Sequence, residues 1–295
     1  MIWGTLIAWY LFLAGLSAGA FITSVYVENK YPHKTKLLFV TRVLALVAIA
    51  IGLVILILDA TGAWHNPLAL IHLLGALDSS VMSWGVIFLA VLAIVEFLFV
   101  IYEFLRGKDN GYTRAFDKAK GVLSVIGVIF AIATAAYTGL LIGVIKTMPL
   151  WNNALLPILF FVSAMSSGVA GALVFTGIFD RREIEGMHSV TVIHVALLII
   201  EVLLVAAMFF ILSSGNPAGA ESVQMMLTGQ YALLFWVVFM LLGLLVPIAV
   251  ELWELKTGKG SPMLTIAIEL LVLIGGFVLR YLIVHAAVPV NFLGF

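Results

Sequence analysis

Eight apolar stretches, at roughly 2–27, 39–63, 80–104, 121–145, 154–179, 189–213, 229–253 and 263–287, take up most of this chain. Each is longer than the about 20 residues a helix needs to cross a bilayer core. They are too long for strands and lack the alternation of a membrane barrel. Across its 295 residues the chain is 64% hydrophobic and 10% charged. A soluble domain is about half apolar and about a quarter charged, so most of this surface must face hydrocarbon. The reading is an all-α integral membrane protein of eight transmembrane helices in two four-helix bundles, 1–150 and 151–295. The formal net charge is zero, which gives no footprint for nucleic acid or an acidic substrate. With no cysteine, the polypeptide cannot ligate an iron–sulfur cluster, attach a c-type haem or form a disulfide. Met1-Ile2-Trp3-Gly4 lacks the basic start of a signal peptide, so the first run is expected to be a retained span.

The loop charges orient the bundle. Thirteen of the fifteen lysines and arginines fall in or beside the odd-numbered loops, from Lys30 and Arg42 through Arg106, Lys120 and Arg181 to Lys256. Lys146 and Arg280 are the two exceptions. By the positive-inside rule both termini lie on the non-cytoplasmic side. Trp3, Trp64, Trp84 and Trp151 collect near that outer side, as an interfacial belt does. Two outer loops are apolar and almost uncharged, around Trp64 to His72 and Met148 to Asn153. They read either as segments at headgroup depth or as a docking surface for a protein.

One internal echo stands out. Gly15-Leu16-Ser17-Ala18-Gly19 in the first run matches Ala164-Met165-Ser166-Ser167-Gly168 in the fifth. Four helices apart, the two would be related by a parallel repeat. Small residues spaced by four also serve simply for close helix packing.

Ionisable groups within the runs divide by depth. Toward the outer side lie Asp59, Tyr137, Arg280, Tyr281 and His285; toward the cytoplasm lie Glu96, His194, Glu251 and Glu269, with Glu201 near the middle. Such residues face a bundle interior or a wet cavity. Asp59 and Arg280 read as an ion pair tying the second run to the eighth, or as the lining of a polar pocket. A quinone head group needs donors for two carbonyls and, on reduction, two protons. Arginine, tyrosine and histidine supply donors, and Asp59 or His65 could relay protons. Glu96, His194, Glu201 and Glu269 read as a proton path from the cytoplasm, or as neutral acids bonded to neighbouring helices. A bis-histidine haem is disfavoured: His194 and His285 lie at opposite ends of their spans, leaving open only His65 or His72 with His285.

Several segments together resemble the NrfD-type family, the membrane subunits of polysulfide reductase and related enzymes. They are Tyr10-Leu11-Phe12-Leu13-Ala14-Gly15-Leu16-Ser17-Ala18-Gly19, Leu58-Asp59, Ser80-Val81-Met82-Ser83-Trp84-Gly85, Tyr137-Thr138-Gly139 with Pro149-Leu150-Trp151-Asn152 and Leu155-Leu156-Pro157, and Gly275-Gly276-Phe277-Val278-Leu279-Arg280-Tyr281. The resemblance covers nearly the whole sequence. It implies a haem-free subunit of a respiratory oxidoreductase in a prokaryotic cytoplasmic membrane, binding menaquinone or ubiquinone near the outer face. It also implies an iron–sulfur subunit docked on that face and, through it, a molybdopterin catalytic subunit. Where some relatives place histidine or asparagine on the first helix, this sequence has Trp9 and Tyr10. The expected quinone-site residues are thus Trp9, Tyr10, Asp59, His65, Tyr137 and Arg280, with no metal site. Two rival readings are a proton-coupled secondary transporter and a passive membrane anchor. The transporter reading lacks a span plainly broken at mid-membrane.

Overall fold

In lipid every backbone N–H and C=O must be satisfied within the segment, so apolar runs of this length fold as helices. The computed structural model describes residues 4–59, 81–107 and 111–290, with the side chains of 59, 81 and 82 excepted. Eight helices among them are long and apolar enough to span a membrane. They are α1 (Thr5–Lys30), α2 (Thr35–Asp59), α3 (Val81–Leu105), α4 (Gly111–Gly143), α5 (Leu155–Phe179), α6 (His188–Gly215), α8 (Leu234–Thr257) and α9 (Pro262–His285). A short α7 (Pro217–Leu227) joins α6 to α8, and a 3₁₀ turn (Arg181–Ile184) joins α5 to α6.

Local chemistry sets several ends. Asn216 accepts from the Ala218 amide, with Pro217 in the first turn of α7, and Ser261 accepts from Leu264 with Pro262 opening α9. Gly258, at φ 65°, closes α8 in the left-handed conformation. Two features depart from the hydropathy pattern. Helix α4 begins about ten residues before its apolar run, because the polar turns around Arg114 and Lys118 continue it beyond the hydrocarbon. The first half of α8, Leu234–Leu245, is a π-helix, a geometry seen mostly as single turns.

Thr5 Oγ1 lies 3.3 Å from His285 Nε2, so α1 begins and α9 ends on one face, here the terminal face. The opposite, basic face holds most of the cations. There Arg42 is buried between Glu28 (2.5 Å) and Glu103, over the Phe99 ring at 4.6 Å, and Lys120 pairs with Glu28. Lys36 bonds Asp180 at 2.6 Å, which holds that carboxyl below its ordinary range.

The core is the parallel pair α1 and α5. Of their apolar segments 72% and 78% is buried, against 33% for α2, α6 and α8, whose outer sides face lipid. A Cβ built on Gly19 would lie 2.8 Å from the carbonyl carbon of Ala164, and one on Gly168 would strike the backbone of Gly19 and Ala20. The two echoed motifs therefore meet each other across one crossing, the close approach that small residues permit. Helix α1 also packs on α2, α4 and α9, and α4 on α5, so the halves of the molecule share contacts along this pair.

The 148–153 loop corrects one reading of the sequence. Leu150 and Trp151 are buried, and the Trp151 indole donates to the Ile283 carbonyl at 2.7 Å. Val290 donates to Thr147 beside it. This loop is apolar because it packs on α9, and Trp151 is an internal anchor, not an interfacial residue. The second apolar loop, with Trp64, His65 and His72, lies outside the described residues.

Candidate functional site

Polar groups thread the bundle at three levels. In the half toward the terminal face, Tyr10 on α1 and Tyr137 on α4 are buried among the first four helices, within electrostatic reach of each other. Tyr137 lies against Gly85 of α3, where any side chain would overlap its ring, and meets Phe88 edge-on at 6.1 Å. Two further buried hydroxyls lie in this half of the bundle: Thr134, one turn from Tyr137, and Ser83, about 200° round α3 from Gly85. Among the described residues neither has a hydrogen-bond partner. Unsatisfied buried hydroxyls are rare enough to call for a ligand or water. Tyrosine and threonine hydroxyls here suit a ligand with carbonyl acceptors, which is what a quinone head group presents.

The remaining residues expected at that site are distributed differently. Trp9 points away from Tyr10, stacks on Phe277 at 4.1 Å and is 42% exposed. Arg280 is buried where α1, α5 and α9 meet. It donates to Ser163 Oγ (2.7 Å), the Gly276 carbonyl (2.8 Å) and the Phe160 carbonyl (3.5 Å), with its guanidinium over the Phe12 and Phe160 rings. Gly15 leaves it room. Asp59 ends α2, but its side chain, like His65, lies outside the described residues, and so does the Asp59–Arg280 pair. The structure thus brings Tyr10 and Tyr137 together and sets Arg280 and Trp9 on the far side of α1.

At mid-depth each echoed motif holds an acid. Ser17 donates to Glu96 of α3 at 2.7 Å, and Ser166 donates to Glu201 of α6 at 3.0 Å; all four are buried. The geometry follows from helix periodicity: Gly15 and Gly19 face the crossing, and Ser17, about 200° round from Gly15, points away from it. Glu201 also lies within electrostatic reach of Ser163, Arg280 and His194.

Toward the basic face, His194 Nδ1 of α6 lies 2.8 Å from Glu251 of α8 and 3.4 Å from Glu269 of α9. Glu251 and Glu269 line a cavity of about 460 Å³ whose walls include Glu185, His188 and Glu254. His194 and Glu201 are seven residues apart, two turns on one face of α6. Ionisable groups are thus spaced inward from the basic-face cavity: Glu269, Glu251 and His194 together, then Glu201 about 10 Å further along α6, and Arg280 beyond it. Sequence reasoning found the acids by depth but missed the serines that orient them; the repeated small-residue motif was the available signal.

The family profile described as "Polysulphide reductase, NrfD" matches residues 1–290. This protein belongs to the NrfD family. It is 29% identical to "Protein NrfD" of Escherichia coli, over 97% of its own length and 95% of that relative. It is 30% identical to the C chain of the polysulfide reductase of Wolinella succinogenes, over 97% of its own length and 94% of the relative. A more distant match, 24% identical over 90% of its length and 66% of the relative, is the "Hdr-like menaquinol oxidoreductase integral membrane subunit" of Archaeoglobus fulgidus. NrfD-family membership and eight apolar helices make the protein an integral membrane subunit of the oxidoreductase-complex type.

Proposed function

We propose that this NrfD-family protein is the quinone-reactive subunit of a respiratory oxidoreductase in a prokaryotic cytoplasmic membrane, its terminal face outward. The observation that carries the reading is the buried pair Tyr10 and Tyr137, within electrostatic reach of each other, with Thr134 one turn from Tyr137 and lacking any partner among the described residues. The name of the Archaeoglobus relative supports it, being that of a menaquinol oxidoreductase subunit. Quinone, when bound, supplies two-electron, two-proton redox chemistry to a polypeptide that has no cysteine for a cluster. Tyr10 and Tyr137 orient the head group by donating to its carbonyls, and the apolar walls around Phe88 exclude water. Asp59 and His65, at and beyond the outer end of α2, exchange protons with the outer side. Electrons pass to or from an iron–sulfur subunit docked on the terminal face and, through it, a molybdopterin subunit.

The inner series belongs to the same reading. Glu269, His194 and Glu201 in one half, and Glu96 in the other, hold and pass protons between the basic face and mid-membrane. Their pairing with hydroxyls and imidazole gives each carboxyl a partner to exchange with.

The test is quinone binding and quinol-linked turnover in the purified complex. Tyr10→Phe and Tyr137→Phe each remove one donor while keeping the ring. Loss of one hydrogen bond of about 1.4 kcal/mol is a tenfold weaker affinity. Both variants, and Asp59→Asn, retaining wild-type binding and turnover in assembled complex would refute the site.

A further inference from the structure

We propose that His194, Glu251 and Glu269 form a binding site for a divalent transition-metal ion such as Zn²⁺, entered from the basic-face cavity. The three side chains come from three helices, α6, α8 and α9, and each offers one ligand atom within 4.8 Å of the others. The His194 Nδ1 distances, 2.8 Å to Glu251 and 3.4 Å to Glu269, bracket the spacing a small cation needs. Ligands held about 2.1 Å from a tetrahedral ion sit about 3.4 Å apart. Contraction of the widest separation, at most 4.8 Å, by up to about 1.4 Å would complete three corners of that tetrahedron, leaving the fourth for water or Glu254 on the cavity wall.

A second observation points to a ligand. All three side chains are at most 2% exposed, yet Glu251 Oε2 and Glu269 Oε2 have no hydrogen-bond partner among the described residues. Within the same set neither carboxylate pairs with a lysine or arginine. Two adjacent buried carboxyls share a single imidazole as their partner, and a metal ion would offset their desolvation more fully. Access is provided for: Glu251 and Glu269 form part of the wall of the 460 Å³ cavity, and Glu185 and Glu254 on the same wall favour cation entry. One imidazole with carboxylates suits Zn²⁺ or Co²⁺ over Mg²⁺, which prefers an all-oxygen octahedron. Bound there, the ion would staple α6, α8 and α9 together at the basic face. The site shares His194 and Glu269 with the proton path proposed above, which a bound ion would block, but its test needs neither quinone nor a partner subunit, so its failure is read separately from that of the quinone site.

The experiment is equilibrium dialysis of the full-length, detergent-solubilised, chelator-treated protein against Zn²⁺, with Mg²⁺ as the control ion. One equivalent of Zn²⁺ is expected, weakened at least tenfold by Glu269→Gln and by His194→Gln and unchanged by His188→Ala on the cavity wall. On the unmutated protein, Zn²⁺ should also shield Glu251 and Glu269 from modification by a hydrophobic carbodiimide, read by mass spectrometry, so the test survives a variant that fails to fold. No bound Zn²⁺, binding indifferent to Glu269→Gln and His194→Gln, binding lost on His188→Ala, or undiminished carbodiimide labelling would overturn the proposal.

Discussion

Adding one methyl group at Gly168 should loosen the whole molecule, because the Cβ of Gly168→Ala would stand 2.5 Å from the Gly19 Cα and nearer still to the adjoining backbone. Ordinary carbon contacts are about 3.5 Å or more, so α1 and α5 must part by about 1 Å at their crossing. A gap of that size forfeits about a quarter to a half of the dispersion energy of each contact it opens. Overpacking of a tight core costs about 1–3 kcal/mol, and here the obstacle is backbone, which cannot rotate aside. At about 2–4 °C per kcal/mol for a protein near this size, the thermal midpoint should fall by about 2–12 °C. The assay is thermal unfolding of the purified protein in one detergent, with Gly121→Ala as the control. Gly121 lies on α4 with nothing within 4 Å of its added Cβ, so that variant should hold the wild-type midpoint or exceed it. Equal midpoints for Gly168→Ala and Gly121→Ala would refute the close crossing of α1 and α5.

Four further outcomes are expected. Arg42→Met removes the buried guanidinium from between Glu28 and Glu103, which keep Lys120 and Arg106 as partners, and should cost about 1.5–3 kcal/mol in thermal unfolding, with Arg42→Lys recovering only part for want of the guanidinium fork. Arg280→Ala strands Ser163 and two carbonyls and removes the positive charge facing Glu201; assembled complex should form while quinol-linked turnover falls about tenfold or more. Glu201→Gln keeps an acceptor for Ser166 but carries no exchangeable acid proton, so proton uptake by membrane vesicles should slow while the unfolding midpoint stays within about 1 kcal/mol of wild type. Asp180, whose carboxyl is held below its ordinary 3.8 by the Lys36 hydrogen bond, contributes its link fully above that value. The link is lost as pH falls through the lower folded value, and Lys36→Ala should move the ¹³C-detected titration of Asp180 upward.

The eight spans were legible in the sequence because hydrocarbon leaves a long apolar run no other fold. Depth was legible in part, since each residue advances a helix by a fixed rise: Glu96, expected toward the cytoplasm, lies level with Glu201 at the crossing of the echoed motifs. What hydropathy could not reveal was azimuth. Trp9 and Tyr10 are sequence neighbours, yet a step of about 100° sends one toward Phe277 and the other into the first four helices. Arg280 bonds neutral groups on α5 and α9, partners set by how α9 rotates against its neighbours, while the side chain of Asp59, its expected partner, lies outside the described residues. Trp151 looked interfacial by its position and is held inside by one carbonyl on a helix 132 residues away. The π stretch of α8 has no signature in its sequence; what accompanies it is the abutting pair Gly243 and Gly275, a contact between helices.

The echoed motifs carry a burden that neither packing nor chemistry alone describes. Ser17 lies between the glycines of one helix and Ser166 between the small residues of the other, so the turn that lets two backbones touch is the turn that aims each hydroxyl at its acid. A change that rotates this junction cannot spare the carboxyls, and a change that relocates a carboxyl must contend with the junction. Drift in either half is thereby coupled to the other, and a duplicated scaffold can diverge everywhere except along its own seam.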